Sequence, residues 1–293
     1  MLTASTDRTA KLWSLDSGRC IQSFVGHDGS VRSAACSTDG SLVLTASDDC
    51  TARLWNVFSG ECMLVLDGHS GDVNSAAFSA NGETVLTASH DGSAKRWCVR
   101  SGRGLTSFDG HTDVVRSASF SPDGELVLTA CDDAVARVFF ARSGECSEEL
   151  RGHSDLVLSA VFSENGDRVL TASYDGTAKL WSASFGGCIV SFVGHSDLVR
   201  CAVFSPDSLL VATASDDMTA KLWSVHDGRC LGTFEGHKGE VSTAVFSNDG
   251  TLILTSSCDG TARLWSRTTF ECIKTFQGHG AEVNSAAFCT QGA

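Results

Sequence analysis

Along the whole chain, short apolar runs of four to seven residues alternate with turns of Gly, Asp, Asn and Ser. One stretch shows the grammar: Val199–Phe204 reads VRCAVF, then come the turn SPDS, the run LLVATAS, the turn DDM, AKLW, a glycine turn and CLGTFEG. Runs this short, rich in Val, Leu, Phe and Thr and bounded by turn formers, predict strands, and four in succession predict an antiparallel meander. The unit then repeats. A Gly-His pair recurs at His27, His69, His111, His153, His195, His237 and His279, always 42 residues apart. Trp13, Trp55, Trp97, Phe139, Trp181, Trp223 and Trp265 keep the same step. A period this regular outranks any local reading of secondary structure.

The elements Gly-His, V-x-x-x-x-F, S-P-D-G and its variants, T-A-S-x-D-G-T-A and L-W closely resemble those of the WD-repeat family, over the full chain. The resemblance implies an all-β fold, a seven-bladed β-propeller with four antiparallel strands per blade, as one domain over residues 1–293. The residue after the tryptophan departs from the family's Asp, being Ser14, Asn56, Cys98, Ser182, Ser224 or Ser266. Residue 1 enters midway through a second strand (MLTAS), and the chain stops after a first strand (VNSAAF) in the hairpin CTQGA. The expectation is a closing blade built from residues 283–288 plus 1–27, which buries both sheet edges.

Bulk numbers narrow the function classes. A net charge of −13 argues against nucleic acid or an anionic membrane as partner, since both would be repelled. No run of about 18 apolar residues is present, so no spanning helix is expected. Six of the 13 cysteines, Cys20, Cys62, Cys146, Cys188, Cys230 and Cys272, are one repeat position recurring, and no C-x-x-C exists. This spacing predicts neither structural zinc nor a redox motif. Reduced thiols, a cytoplasmic setting, no cofactor, no metal and a monomer are expected.

Each unit also carries a hydroxyl, a carboxylate and an imidazole at fixed spacing. The sets are His27, Thr45, Asp49, Trp55; His69, Thr87, Asp91, Trp97; His153, Thr171, Asp175, Trp181; His195, Thr213, Asp217, Trp223; His237, Thr255, Asp259, Trp265; and, across the closure, His279, Thr3, Asp7, Trp13. Taken singly, such a set invites a hydrolase reading. Repetition in every blade argues against it, and no G-x-S-x-G, P-loop or H-E-x-x-H is present. The family resemblance implies a structural chain instead, in which Asp bonds His, His bonds Thr and Thr bonds the indole N–H. The set His111, Thr129, Asp133, Phe139 cannot complete it. Phe139 has no N–H, so the Thr129 hydroxyl is expected to lose a partner, at a cost of about 1–3 kcal/mol if left buried and unsatisfied.

The same resemblance places two positions per blade at the channel mouth, on the face of the Gly-His loops. They pair Arg32 with Asp48, Asn74 with His90, Arg116 with Asp132, Leu158 with Tyr174, Arg200 with Asp216, Ser242 with Cys258 and Asn284 with Thr6. Arg occurs only opposite Asp, which suggests three ion pairs in alternate blades. A matching 84-residue alternation sets Gly92, Gly176 and Gly260 against Arg8, Cys50, Ala134 and Met218. One sector differs, because Val114, Leu156, Leu158, Tyr174 and Leu198 bring apolar side chains to the loop face of three consecutive blades, rimmed by Arg116 and Arg200. That is the composition of a peptide-docking surface. The leading expectation is a non-enzymatic scaffold that binds a segment of another protein. The competing readings are a ligand-sensing region of a larger multidomain protein, an enzyme using the channel, and a purely structural or designed repeat protein.

Overall fold

A computed structural model describes residues 1–288 of the chain. Seven four-stranded antiparallel sheets form a ring of blades. Blades one to six span residues 31–66, 73–108, 115–151, 157–193, 199–234 and 241–277. The closing blade joins Val283–Ala287 to Leu2–Ser5, Thr9–Trp13 and Cys20–Val25, with Leu2 opposite Ala287 and Thr3 opposite Ala286. The expected closure is therefore present, while the hairpin expected at residues 289–293 lies outside the described residues.

Neighbouring blades, rather than single blades, build the core. Leu170, Leu180 and Phe192 of blade four pack with Val199, Val211 and Trp223 of blade five, and the same pairing recurs around the ring. A blade sheet is thus apolar on both faces, which is why its second strands read as near-continuous hydrophobic runs such as LVLTAS. At the closure, Leu2, Ala4 and Phe24 meet Val31, Val43 and Trp55 of blade one. On the other side Met1, Trp13 and Ala286 meet Leu254, Leu264 and Phe276 of blade six.

First strands line the channel and are stitched to one another by hydroxyls. Ser33 Oγ accepts from Ala76 N at 3.1 Å, Ser75 from Ala118 N at 3.2 Å, Ser117 from Ala160 N at 3.1 Å and Thr243 Oγ1 from Ala286 N at 3.2 Å. Each first strand also opens with a β-bulge, for example between Val157 and Ser159, which leaves Leu158 unpaired in the ladder. The bulge residues of blades one to six are Arg32, Asn74, Arg116, Leu158, Arg200 and Ser242, the channel-mouth set. A bulge re-aims a side chain out of the pleat, which is what turns these residues toward the mouth.

The alternation at the second-to-third-strand turn has a backbone meaning. Arg8, Cys50, Ala134 and Met218 are left-handed, with φ of 70°, 66°, 65° and 66°, where the other blades use glycine. A side chain in that region costs on the order of 1 kcal/mol. The strain is spread over four blades and marks none as a special site.

Eleven of the described cysteines are unpaired. Cys36 is the exception, being disulfide-bonded.

Candidate functional site: networks and loop face

The buried constellations are complete in six blades. In blade one His27 Nδ1 lies 2.7 Å from Asp49 Oδ2 and Nε2 lies 2.7 Å from Thr45 Oγ1, while Trp55 Nε1 donates to the same hydroxyl at 2.8 Å. Blades two, four, five and six repeat these distances within 0.1 Å. In the closing blade His279 reaches Asp7 at 3.1 Å and Thr3 at 2.6 Å. One tautomer satisfies every group: Nδ1–H donates to the carboxylate, Nε2 accepts the threonine proton, and threonine accepts the indole proton. Burial pushes the His27 imidazole below its ordinary pKa, against the raising effect of Asp49. Burial would raise the Asp49 carboxyl, but hydrogen bonds from Thr51 and His27 outweigh it and hold it at about 2. The pair is a carboxylate beside a neutral imidazole, and its hydroxyl is already spent on an indole.

Blade three is rebuilt. Thr129 has no indole donor, as expected, and its Oγ1 keeps the bond to the Arg137 carbonyl, at 3.3 Å, that Thr45 also makes to Arg53 O at 3.5 Å. The orphan is His111 Nε2, which is buried and has no partner. Arg137 causes this: its Nη1 donates to Asp133 Oδ2 at 2.6 Å and to His111 Nδ1 at 3.2 Å, displacing the His–Asp bond. Room for it comes from the missing indole. Gly68 of the blade-two loop has its Cβ position 3.0 Å from the Trp97 ring, whereas the equivalent Gly110 has nothing within 4 Å and a φ of 105° instead of 152°. Phe139 itself is fully buried against Phe108, with ring centroids 5.7 Å apart. Burial and the Arg137 charge press the His111 pKa down to about 4.

His111, Cys131 and Asp133 bring potential metal-ligand atoms within 4.8 Å of one another. The chemistry of the set does not suit a cation. Arg137 holds a fixed positive charge on both Asp133 and His111, and burial pushes the Cys131 thiol up to about 11, which keeps it protonated.

On the loop face the three expected arginine pairs are formed within their own blades. Arg32 Nε reaches Asp48 at 2.6 Å, and Arg116 grips Asp132 through Nε and Nη2 at 2.7 and 2.5 Å. Arg200 grips Asp216 and also crosses to Glu240 of blade six at 2.7 Å. The bulge asparagines tie to the next blade instead, Asn74 Nδ2 to Val115 O and Asn284 Nδ2 to Val31 O, both at 2.9 Å. Leu158 has no polar tie to make.

The apolar sector is present with one member buried. Tyr174 is 49% exposed, and its N–H donates to the Leu156 carbonyl at 2.9 Å, the bond that ties turn to loop in every blade. Leu156, Leu158 and Val114 are partly buried. Leu198 is not available, because at 5% exposure it packs into the base of its loop, where burial of its side chain is favourable. Met218, 49% exposed, projects from the blade-five turn as a further apolar group. The signal in the sequence was a bulky apolar residue in a slot that three other blades fill with glycine. Blade four meets blade five here, since a Cβ on Gly176 would lie 3.5 Å from the Asp197 carbonyl. A shallow cleft of about 680 Å³ lies elsewhere, at the seam of blade six and the closing blade, and the Asp259 and His279 in its walls belong to completed networks.

Comparison with known proteins supplies the wider context. Residues 18–56, 60–98, 102–139, 144–182, 186–224 and 228–266 each match the family model described as "WD domain, G-beta repeat". A curated protein from Heterostelium pallidum, Lissencephaly-1 homolog, is 52% identical over 33 residues, which is 11% of this chain and 8% of that protein. That match spans one repeat's length, so it reports the repeat and not the relative's whole architecture.

Proposed function

The chain belongs to the WD40 repeat family, whose propellers typically serve as protein-interaction scaffolds, and from that premise we propose that it is a non-enzymatic scaffold docking a segment of another protein on its loop face, centred on blade four. The observation that carries this reading is the contrast among bulge residues. Arg32, Arg116 and Arg200 are ion-paired and Asn74 and Asn284 are tied to backbone. Leu158 stands among them as an aliphatic group beside the half-exposed Tyr174. An ion pair at a channel mouth is a satisfied surface, contributing at most about 1 kcal/mol and offering little to a partner. An aromatic and aliphatic cluster on a rigid rim is what a partner can desolvate with gain.

Against a catalytic reading stands the use already made of the reactive groups. Six His–Asp pairs have both imidazole nitrogens engaged, and the seventh histidine is held by an arginine. None presents an imidazole to a hydroxyl at the surface.

Replacing Leu158 and Tyr174 together with Ser is expected to weaken binding of a captured protein partner by about a hundredfold or more, the range of one or two hot-spot side chains. Calorimetric titration reads the affinity, and a melting curve checks that the fold is kept. Unchanged affinity in a folded double variant refutes the reading.

A further inference from the structure

The arginines that rim the apolar sector are electrostatically spent, and what is left over is negative. Arg116 is neutralised by Asp132, and Arg200 by Asp216 with Glu240 added. The exposed carboxylates of the same sector have no such compensation. Asp155 and Asp197 each accept one backbone N–H through Oδ1, from Leu156 and Leu198 at 2.8 Å, and neither forms an ion pair among the described residues. Asp113 does the same with Val114 in blade three. Two of these aspartates sit in the loops on either side of the turn that carries Tyr174. Asp155 precedes the residue whose carbonyl holds the Tyr174 N–H, and Asp197 lies across the seam against Gly176, two residues after Tyr174. The two loops beside the Tyr174 turn, its own blade's and the next blade's, therefore each carry an exposed carboxylate without a counter-charge.

From this we infer that the occupant of the blade-four surface is a cationic segment of another protein, an aliphatic or aromatic anchor flanked by Lys or Arg. The inference rests on the docking reading above and names the partner's chemistry. Charge complementarity supports it on two scales. Locally, an acidic or neutral segment would bury Asp155 and Asp197 without a counter-charge, which is costly. Globally, the net charge of −13 draws a basic segment in and repels an acidic one.

The test is selection of peptides from a random display library on the folded propeller, followed by affinity measurement at low and high salt. Two variants separate the ideas. Asp155→Asn with Asp197→Asn keeps the oxygen that caps the loop and removes only the charge, while Leu158→Ser with Tyr174→Ser removes the anchor site. The expected result is peptides with Lys or Arg beside an apolar residue, bound about tenfold more weakly by the Asn variant at low salt and lost on the Ser variant. Peptides without basic residues, lost on the Ser variant but indifferent to the Asn variant, overturn the cationic inference and leave the docking reading standing. Peptides indifferent to both variants, or a selection that yields none, overturn both.

Discussion

Deleting residues 283–293 is expected to abolish cooperative melting. Among the described residues the strand Val283–Ala287 is what the C-terminal end contributes to the closing blade, and it supplies that blade's channel-lining edge. Val283 and Ala286 are buried at 1% and 4% exposure, and both neighbours are tied through this strand. Asn284 Nδ2 donates to Val31 O of blade one, and Ala286 N donates to Thr243 Oγ1 of blade six. Without it Leu2–Ser5 becomes an open edge, and blades one and six lose a common neighbour. The loss is on the order of 5 kcal/mol, which is comparable to the whole stability of a marginal domain. A circular-dichroism melt is expected to broaden and split, starting well below the intact protein's transition. A deletion variant that melts as sharply and as high as the intact chain contradicts the closure account.

The second large effect separates two histidines that look alike in sequence. His195→Leu is expected to cost about 3 kcal/mol, because the buried Asp217 and Thr213 both lose a partner at 2.7 Å. His111→Leu is expected to cost less than about 1 kcal/mol, since it deletes an already orphaned Nε2 and leaves Arg137 on Asp133. Urea unfolding at pH 7 measures both; equal costs contradict the rebuilt blade. The pH dependence follows from the same geometry. In the unfolded chain a histidine takes up its proton near pH 6.5, while the folded state holds His111 neutral down to about 4. Between these values the unfolded state binds more protons, so stability falls as pH falls. His111 alone contributes a loss on the order of 3 kcal/mol by pH 4. The other six repeat histidines, also lowered by burial, add to the loss in the same direction. His111→Leu is expected to flatten the urea midpoint's dependence between pH 6.5 and 4. A slope identical to the parent's contradicts this assignment.

Much of this architecture is legible in the chain because the repeat makes it redundant. Seven registered Gly-His pairs fix the blade count, and the split between MLTAS and VNSAAF announces the closure. The arginine pairs are legible too, since Arg32, Arg116 and Arg200 each face an Asp. What escaped depends on side-chain length and on space. Arg137 occupies the basic position that Lys11, Arg53, Lys95, Lys179, Lys221 and Arg263 fill in the other blades. Only in blade three does a missing indole leave room for it to swing onto the histidine. The sequence records the loss of tryptophan but not which neighbour fills the gap. Leu198 and Met218 show the same limit on the loop face. Periodicity places both in the right loops, yet which one buries and which one projects is settled by local packing.

The proposed docking of a protein partner on the loop face of blade four makes a local prediction. Hydrogen exchange of the propeller with and without a captured partner measures it. Protection gained at residues 154–158, 174–176 and 216–218 is the expected result. Protection confined to the third-to-fourth-strand turns, where Phe58 and Phe185 are exposed, or to the outer strands, contradicts it.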